Sequence, residues 1–429
     1  MPGKIISVDW DRIRSATASS SPVADSTVPP KPAADPYGDD PFFKRNPVST
    51  WNACIGKQGD EENYIDGYIE AAVELAGAVI EKKMYEKRDT LVLPILYNAR
   101  HAIELTLKFV TDRLVEAGLI QPGRRRDHDI KAYWNRLNEA SLGDEKLLQF
   151  IQKLKPFIDS LSRIDDDGQE LRYHLNRSDD PSLSDRSLAN LEVIRDSLAD
   201  LSEILSVLRC RTVSFIAERT TSTFTSRCSR RDLFTIAQLM PRRDFWMSAL
   251  FDQQKALVKT RFNLSNTQFS KALNVIQSNR EMKAILGVET DLLHISDDEV
   301  VWMVHQWRRL HPLRDERDAS PEIKSGNEFT IDVLLKDMAT RKEVVAEMEM
   351  RITGDKLAEI EAMFYLGRDR LFTEHYEQRV DTARKEHAAA NDPTAKIVHL
   401  MDKTNLLRCV QEAAKRLGRL SLADRLSKM

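Results

Sequence analysis

The chain has 429 residues and a formal net charge of −3, with 31 % charged residues, 7 % aromatic residues and 15 glycines. This length allows two or three domains with a sizeable core, and the composition is typical of helix-rich proteins. The balanced charge excludes bulk electrostatic attraction to nucleic acid, so any nucleic-acid surface must be a local patch.

The cysteines and the apolar runs exclude further classes of protein. Cys54, Cys210, Cys228 and Cys409 form no CxxC pair and fit neither a zinc site nor a disulfide framework, so free thiols in a reducing compartment are expected. The sequence has no leader-like apolar segment and no run of about 18 apolar residues, which predicts a cytoplasmic protein that does not enter a membrane. Walker loops and the motifs GxGxxG, HExxH and GxSxG do not occur, so neither a cofactor nor a metal is predicted.

Residues 1–50 are predicted to form a disordered tail. Eight of the 16 prolines lie before residue 48. Residues 15–48 mix proline, serine, alanine and aspartate without periodicity, and such a segment cannot build a packed core. The preceding stretch KIISVDWDRIR is short and amphipathic, which leaves two alternatives: a docking peptide for a partner protein, or a frayed end.

Residues 51–216 are predicted to form a bundle of about five helices. From residue 64 onwards, apolar residues recur at spacings of three and four, as on the buried face of a helix. The second of these helices should span about residues 90–117, and Asp127 or Asp129 can cap the third. The long amphipathic segment SLANLEVIRDSLADLSEILSVLRC completes the bundle.

The second half of the chain is predicted to be a separate helical domain. Serine, threonine and arginine interrupt the helical period over residues 217–240, which we interpret as a boundary segment. Residues 241–429 return to helical spacing, for instance in KLAEIEAMFYLGRDRLFTEHYEQRV. The predicted fold class is therefore all-α, with a helical bundle, a second helical domain and a disordered N-terminal tail.

The second predicted helix carries an unusual stripe of polar groups. It is mostly apolar, yet five polar or ionisable side chains fall within about 100° of one another on a helical wheel. The residues of this stripe are Tyr97, Arg100, His101, Glu104 and Lys108. Arg100 and Lys108 each stand four residues from Glu104, at the spacing of helical ion pairs. The stripe is either the solvent-facing side of the helix or part of a functional site.

Three fragments, taken in order, resemble the HEPN (higher eukaryotes and prokaryotes nucleotide-binding) domain. They are RHAIELTLK (100–108), HDIKAYW (128–134) and ELRY (170–173), and the resemblance covers about residues 62–212. It implies an all-α bundle that often dimerises. Many HEPN domains are metal-independent ribonucleases of toxin–antitoxin and phage-defence systems, whereas others are inactive scaffolds or bind nucleotides.

The resemblance also suggests a catalytic site, with one departure. Active HEPN members carry an arginine and a histidine with four to six residues between them, and the two side chains together supply a base and a cation without a metal. Here the matching Arg172 and His174 are separated by one residue. A site would therefore combine them with Arg100, His101 and Glu104.

The alternative to a catalytic site is a structural role for the same groups. In that arrangement Glu104 and Glu170 bind Arg172 and Arg100 as a buried polar network that fixes the packing of the helices. Such a network is acceptable in a core only if every member is paired.

Two other groups of residues are candidates for function. Residues 209–243 hold eight arginines against two acidic residues, and arginines can hold phosphates through forked donors. The predicted nucleic-acid contacts are Arg124, Arg125, Arg126, Arg227, Arg230 and Arg231; the alternative is a solvated linker paired with nearby acidic loops. Arg370 and His375 have the spacing of an active HEPN pair and form an alternative catalytic pair, although this spacing is also common on solvated helix faces.

We therefore expect a bacterial defence or toxin-type effector that acts on RNA or nucleotides, with metal-independent endoribonuclease activity. The alternative is a non-catalytic, dimerising adaptor of a multi-protein defence system. Expected partners are a second copy of the chain, RNA or a nucleotide, and a protein bound through the N-terminal tail or the C-terminal domain. No membrane partner is expected.

Overall fold

The computed structural model describes residues 40–429 apart from residues 45, 47, 57, 58, 124–127, 167, 176–178, 185–187, 313–330, 353 and 391. The chain divides into Met1–Asp60 and a compact unit, Glu61–Met429, which contains all the helices described below. The predicted disordered tail therefore falls largely outside the described residues.

The described residues contain sixteen α-helices and no strand, which confirms the all-α prediction. The helices are α1 Glu61–Glu81, α2 Arg88–Glu116, α3 Ile130–Glu139, α4 Glu145–Ile164, α5 Leu191–Glu218, α6 Arg230–Leu239, α7 Ala249–Arg261, α8 Asn266–Ser278, α9 Arg280–Ile285, α10 Asp297–Leu310, α11 Ile331–Arg351, α12 Asp355–Arg368, α13 Tyr376–Ala390, α14 Pro393–Met401, α15 Leu406–Arg416 and α16 Leu420–Ser427. Of the helices in the described segments, none combines the length and the apolar character needed to cross a bilayer.

The helices α1–α5 share one hydrophobic core. The helix α2 packs along α1 and α5, and α4 packs against α3 and α5. Fully buried side chains of this core include Ile65, Ile103, Leu107, Leu154 and Leu205. Burying each such aliphatic side chain contributes about 1.5–3 kcal/mol, so the apolar stripes of these helices hold the bundle together.

Side-chain caps explain where three of these helices begin. Asp129 accepts hydrogen bonds from the backbone N–H groups of Lys131 and Ala132 at the start of α3. Asp144 and Asn190 cap α4 and α5 in the same way. Each cap satisfies N–H groups that have no partner inside the helix, typically contributing about 1 kcal/mol.

Two further cores follow along the chain. One lies among α6–α9 and includes Leu233, Ile236, Phe269, Ile276 and Met282. The other joins α10–α16 and includes Val300, Met303, Ile360, Phe364 and Val410. In the second of these cores, Gly367 of α12 lies so close to the carbonyl oxygen of Cys409 in α15 that a Cβ atom would overlap it. A glycine at this position allows the two helices their close approach.

The segment KLAEIEAMFYLGRDRLFTEHYEQRV is not one helix. The helix α12 ends at Arg368, and α13 begins only at Tyr376. Arg370 adopts a left-handed φ of 52°, and the N–H of Leu371 donates to the carbonyl of Leu366. This is the hydrogen bond of a Schellman motif, in which the left-handed position is usually occupied by glycine. The sequence signal is weak because an arginine holds the left-handed position.

Candidate functional site

The polar stripe of α2 includes a deeply buried arginine. Arg100 is only 1 % exposed, and its guanidinium donates in three directions. Its Nε bonds the carbonyl oxygen of Asp165 at 2.8 Å, its Nη1 bonds Glu104 Oε2 at 3.1 Å, and its Nη2 bonds the carbonyl oxygen of His128 at 2.8 Å. Arg100 therefore ties α2 to the end of α4 and to the residues before α3. A side chain so deeply buried and so fully paired does not fit the predicted role of a catalytic group that contacts a substrate.

Glu104 is the centre of this network. Its Oε2 accepts from Arg100, and its Oε1 accepts from Lys108 Nζ at 2.6 Å and lies 2.8 Å from His128 Nδ1. Burial alone would raise the pKa of Glu104, but the hydrogen bonds from Lys108 and His128 outweigh it and bring the pKa below its ordinary value. Glu104 is therefore an ionised, buried carboxylate at neutral pH.

His128, the imidazole partner of Glu104, is exposed to solvent. An ionised carboxylate only accepts hydrogen bonds, so Nδ1 of His128 carries the proton that faces Glu104. The side chain is 59 % exposed, and the described residues offer no hydrogen-bond partner to its Nε2. The carbonyl oxygen of His128 accepts a hydrogen bond from Arg100, and the next residue, Asp129, caps α3. A carboxylate that orients a histidine in this way leaves Nε2 ready to take or give a proton.

His128 is a site residue that the sequence pattern did not predict. The fragment HDIKAYW contributed to the resemblance, but the histidine itself was not included among the candidates. Its partner lies 24 residues earlier in the chain. Only the packing of α3 against α2 brings the two side chains together.

His101 and Arg172 lie in an aromatic cluster on the same face of α2. The His101 ring packs edge-on against Tyr68, with centroids 4.3 Å apart, and parallel to Tyr97, with centroids 5.7 Å apart. The Arg172 guanidinium lies over the Tyr97 ring at 5.7 Å. Burial, together with Lys108, Arg100 and Arg172, lowers the pKa of His101 against the opposing effect of Glu104, so His101 is mainly neutral at pH 7.

The structure does not bring His174 into this group. Its side chain is exposed and contacts none of the other four predicted catalytic residues in the described part of the chain. Glu170 likewise takes no part in the expected network, because its Oε2 accepts from the backbone of Leu183. Asp165, 3.6 Å from Arg100 Nε, is the second carboxylate at this arginine.

The arginines of residues 209–243 do not form one basic surface. Arg209 pairs with Asp66, Arg211 with Asp144 and Glu218, and Arg230 with Glu374 and Glu281. Arg230 is only 9 % exposed, so the prediction that it contacts nucleic acid is corrected: it links α6 to the C-terminal core. Arg227 and Arg231 are exposed, and Arg124, Arg125 and Arg126 lie outside the described residues.

A buried acidic pair lies at the junction of the bundle with α6. Asp144 is held by Arg211, which keeps the pKa of this carboxylate below its ordinary value despite its burial. Among the described residues, Asp232 has no arginine partner of this kind, and it accepts from the N–H groups of Glu145 and Ser229. Burial and the nearby charge of Asp144 raise the pKa of Asp232 to about 7.

The alternative catalytic pair, Arg370 and His375, is not assembled. Arg370 is exposed in the turn after α12, and its carbonyl oxygen accepts from Arg416. His375 is half-buried in a short 3₁₀ turn, with its ring beside Phe372. The two side chains make no contact with each other in the described structure, so their helical spacing in the sequence has no counterpart in space.

Neither a metal-binding cluster nor a match to a known protein points to a function for the Glu104–His128 pair. Among the described residues, no group of three or more His, Cys, Asp or Glu side chains could hold a metal ion. No protein-family model matches the chain, and no match was found among curated proteins or solved structures. The likeness to HEPN domains therefore rests on the three sequence fragments.

Proposed function

We propose that the α1–α5 bundle cleaves RNA without a metal ion, as the effector of a bacterial defence or toxin-type system. The main support for this proposal is the Glu104–His128 pair, in which a buried carboxylate is hydrogen-bonded to Nδ1 of an exposed imidazole. Such a pair fixes the tautomer of the imidazole and leaves Nε2 as a proton acceptor. The resemblance of the three fragments to HEPN domains supports the defence setting.

The reaction uses groups that the chain itself supplies. His128 Nε2 accepts the proton of a ribose 2′-hydroxyl, and the 2′-oxygen attacks the adjacent phosphorus. The bond between phosphorus and the 5′-oxygen breaks, and that oxygen takes a proton from solvent. The products are a 2′,3′-cyclic phosphate and a 5′-hydroxyl end. Lys108 bonds the same Glu104 oxygen as His128, so its ammonium lies beside the base and can stabilise the charge that develops on the phosphate.

The experiment that tests this reaction class is RNA cleavage by the purified protein in EDTA. We expect cyclic phosphate ends on RNA and no cleavage at a nucleotide whose 2′-hydroxyl is replaced by hydrogen. Cleavage that requires a divalent metal, or that cuts the 2′-deoxy position equally well, would contradict the proposal. A double Arg370→Ala, His375→Ala variant should cleave like the wild type; loss of cleavage there would assign the site to the C-terminal half.

The second candidate is a dimerising adaptor without catalysis, favoured by two observations. Every direction of the Arg100 guanidinium is paired, as expected of a structural network. In addition, an apolar groove of about 340 Å³ between α2, α4 and α5 is lined by Leu96, Phe157 and Ile194, among others. A folded, dimeric wild type that leaves tRNA, mRNA and ribosomal RNA uncut would favour the adaptor.

A further inference from the structure

A series of flat side chains runs alongside the Glu104–His128 pair. Tyr68 packs edge-on against His101, and His101 packs parallel to Tyr97. The guanidinium of Arg172 lies 5.7 Å from the centroid of the Tyr97 ring and 5.5 Å from that of Tyr173. Arg172 thus lies within cation–π distance of two tyrosine rings. The series extends from α2 to the loop that follows α4.

The outer end of this series is open to solvent. Tyr173 is 56 % exposed, and Arg172 is exposed as well. Within the described structure, Arg172 is the group that stacks on the Tyr173 ring, and no side chain bonds the hydroxyl of this tyrosine. An exposed aromatic ring that is stiffened from one side by a guanidinium leaves its other side for a ligand with a flat, apolar face.

The loop that carries Arg172 and Tyr173 is held in place rather than free. The Asp165 carboxylate accepts from the backbone N–H groups of Glu170 and Leu171. The N–H groups of Arg172 and Tyr173 both donate to the carbonyl of Gln169. Arg100, buried beneath, bonds the Asp165 carbonyl and also the His128 carbonyl. Arg100 therefore fixes the position of the aromatic series relative to the Glu104–His128 pair.

The spacing on α2 sets the distance between the two features. Tyr97 and His101 precede Glu104 and Lys108 on one helical face, with steps of four, three and four residues. At 1.5 Å of rise per residue, the aromatic part of this face lies about 10 Å from the charged part. A polynucleotide bound at the catalytic pair would reach the aromatic series within a few nucleotides.

We propose that Tyr173, Arg172 and Tyr97 form a stacking subsite for an unpaired nucleobase of single-stranded RNA whose backbone passes the Glu104–His128 pair. This inference rests on the proposed function, because it assumes that RNA is the substrate. Every nucleobase has an aromatic face, so the subsite accepts different bases with little sequence preference. It excludes duplex RNA, whose bases stay stacked on their neighbours and are not offered to a protein ring.

The test separates binding from cleavage by using an RNA that cannot be cut. The probe is a fluorescein-labelled, unstructured 2′-O-methyl oligonucleotide of 12 residues, and its affinity for the full chain is measured by fluorescence anisotropy at fixed salt. We expect Tyr173→Ala to weaken binding about tenfold, and Tyr173→Phe to bind like the wild type because the ring is retained. The same sequence as a duplex should bind the wild type more weakly than the single strand.

A second readout identifies the stacked base itself. The adenine analogue 2-aminopurine is placed at each position in turn, since its fluorescence falls when it stacks. We expect quenching at one position or two adjacent ones in the wild type and in Tyr173→Phe, and none in Tyr173→Ala. An abasic nucleotide at the quenched position should remove the difference in affinity between wild type and Tyr173→Ala.

The outcomes keep this inference distinct from the proposed function. Equal affinity of wild type and Tyr173→Ala, or equal binding of duplex and single strand, would overturn the stacking subsite even if RNA is cleaved. Ring-dependent binding without any cleavage of ordinary RNA would support the subsite and contradict the ribonuclease. Because Tyr173 is exposed, its variants should fold, and a circular dichroism spectrum identical to that of the wild type verifies this.

Discussion

The ring Nδ1 of His128 lies 2.8 Å from Oε1 of Glu104, although the two residues are 24 positions apart. The carboxylate is buried and the ring is exposed. Glu104 is held in turn by Arg100 and Lys108, so the pair forms a fixed unit at the surface of the bundle. The unit combines an oriented proton acceptor with a neighbouring ammonium group, which is the chemistry that metal-free phosphodiester cleavage needs.

Arg100→Ala should destabilise the protein strongly. The substitution removes the donor to Oε2 of the buried Glu104 and to the backbone carbonyl groups of Asp165, Asp166 and His128. Breaking a buried ion pair from one side costs about 3–5 kcal/mol. Urea unfolding, followed by circular dichroism, measures the change. The matched control is Arg113→Ala on the same helix, whose pair with Glu116 is exposed and should contribute less than about 1 kcal/mol. Similar losses in the two variants would show that the buried network contributes no more than a surface pair.

The sequence pattern predicted the helices of the bundle, but it did not predict which charged side chains pair with each other. Apolar periodicity and the capping aspartates predicted the bundle, because both signals are local. Arg230 pairs with Glu374, 144 residues further on, and with Glu281. Because such partners are distant in the sequence, the arginine run resembled a free basic patch, although it is in part a set of buried ion pairs. Likewise, no local sequence pattern predicts that His128 of HDIKAYW contacts Glu104.

Neighbouring arginines of α6 should differ in their effects. Arg230→Gln removes a buried pair with Glu374 and should lower the free energy of unfolding by a few kcal/mol. Arg231→Gln changes an exposed side chain and should leave stability within about 0.5 kcal/mol. If the segment contacts RNA, only Arg231→Gln should weaken binding of a 2′-O-methyl RNA without unfolding the protein. Weakened RNA binding by a folded, fully stable Arg230→Gln variant would contradict the structural role.

Asp232 should make stability fall as the pH rises. Its pKa is about 7 in the folded protein, against an ordinary value near 4, so the folded state binds the extra proton between these two values. The free energy of unfolding should then decrease from about pH 4 to pH 7, by at most about 1.4 kcal/mol per pH unit from this group, and level off above. Asp232→Asn should remove this part of the dependence. Unfolding curves of wild type and variant with the same pH dependence would exclude a raised pKa at Asp232.

Two helical glycines, Gly367 and Gly77, should respond to alanine in opposite ways. Gly367→Ala inserts a methyl group into the carbonyl of Cys409 where α12 meets α15, and should destabilise by about 1–3 kcal/mol or more. Gly77→Ala in α1 meets open space and should stabilise by up to about 1 kcal/mol through helix propensity. Thermal unfolding of the two variants provides the comparison. A Gly367→Ala variant with an unchanged or raised melting temperature would contradict the close approach of α12 and α15.

The central claim is that His128 acts as the base, and its most direct measurement is the rate of RNA cleavage in EDTA by His128→Asn. Asparagine keeps a side-chain N–H for Glu104 but has no atom that takes a proton. The account predicts a loss of about 10²–10⁴-fold. The control His174→Asn, at an exposed histidine outside the cluster, should cleave like the wild type. Equal rates for His128→Asn and wild type, or a loss confined to His174→Asn, would contradict the account.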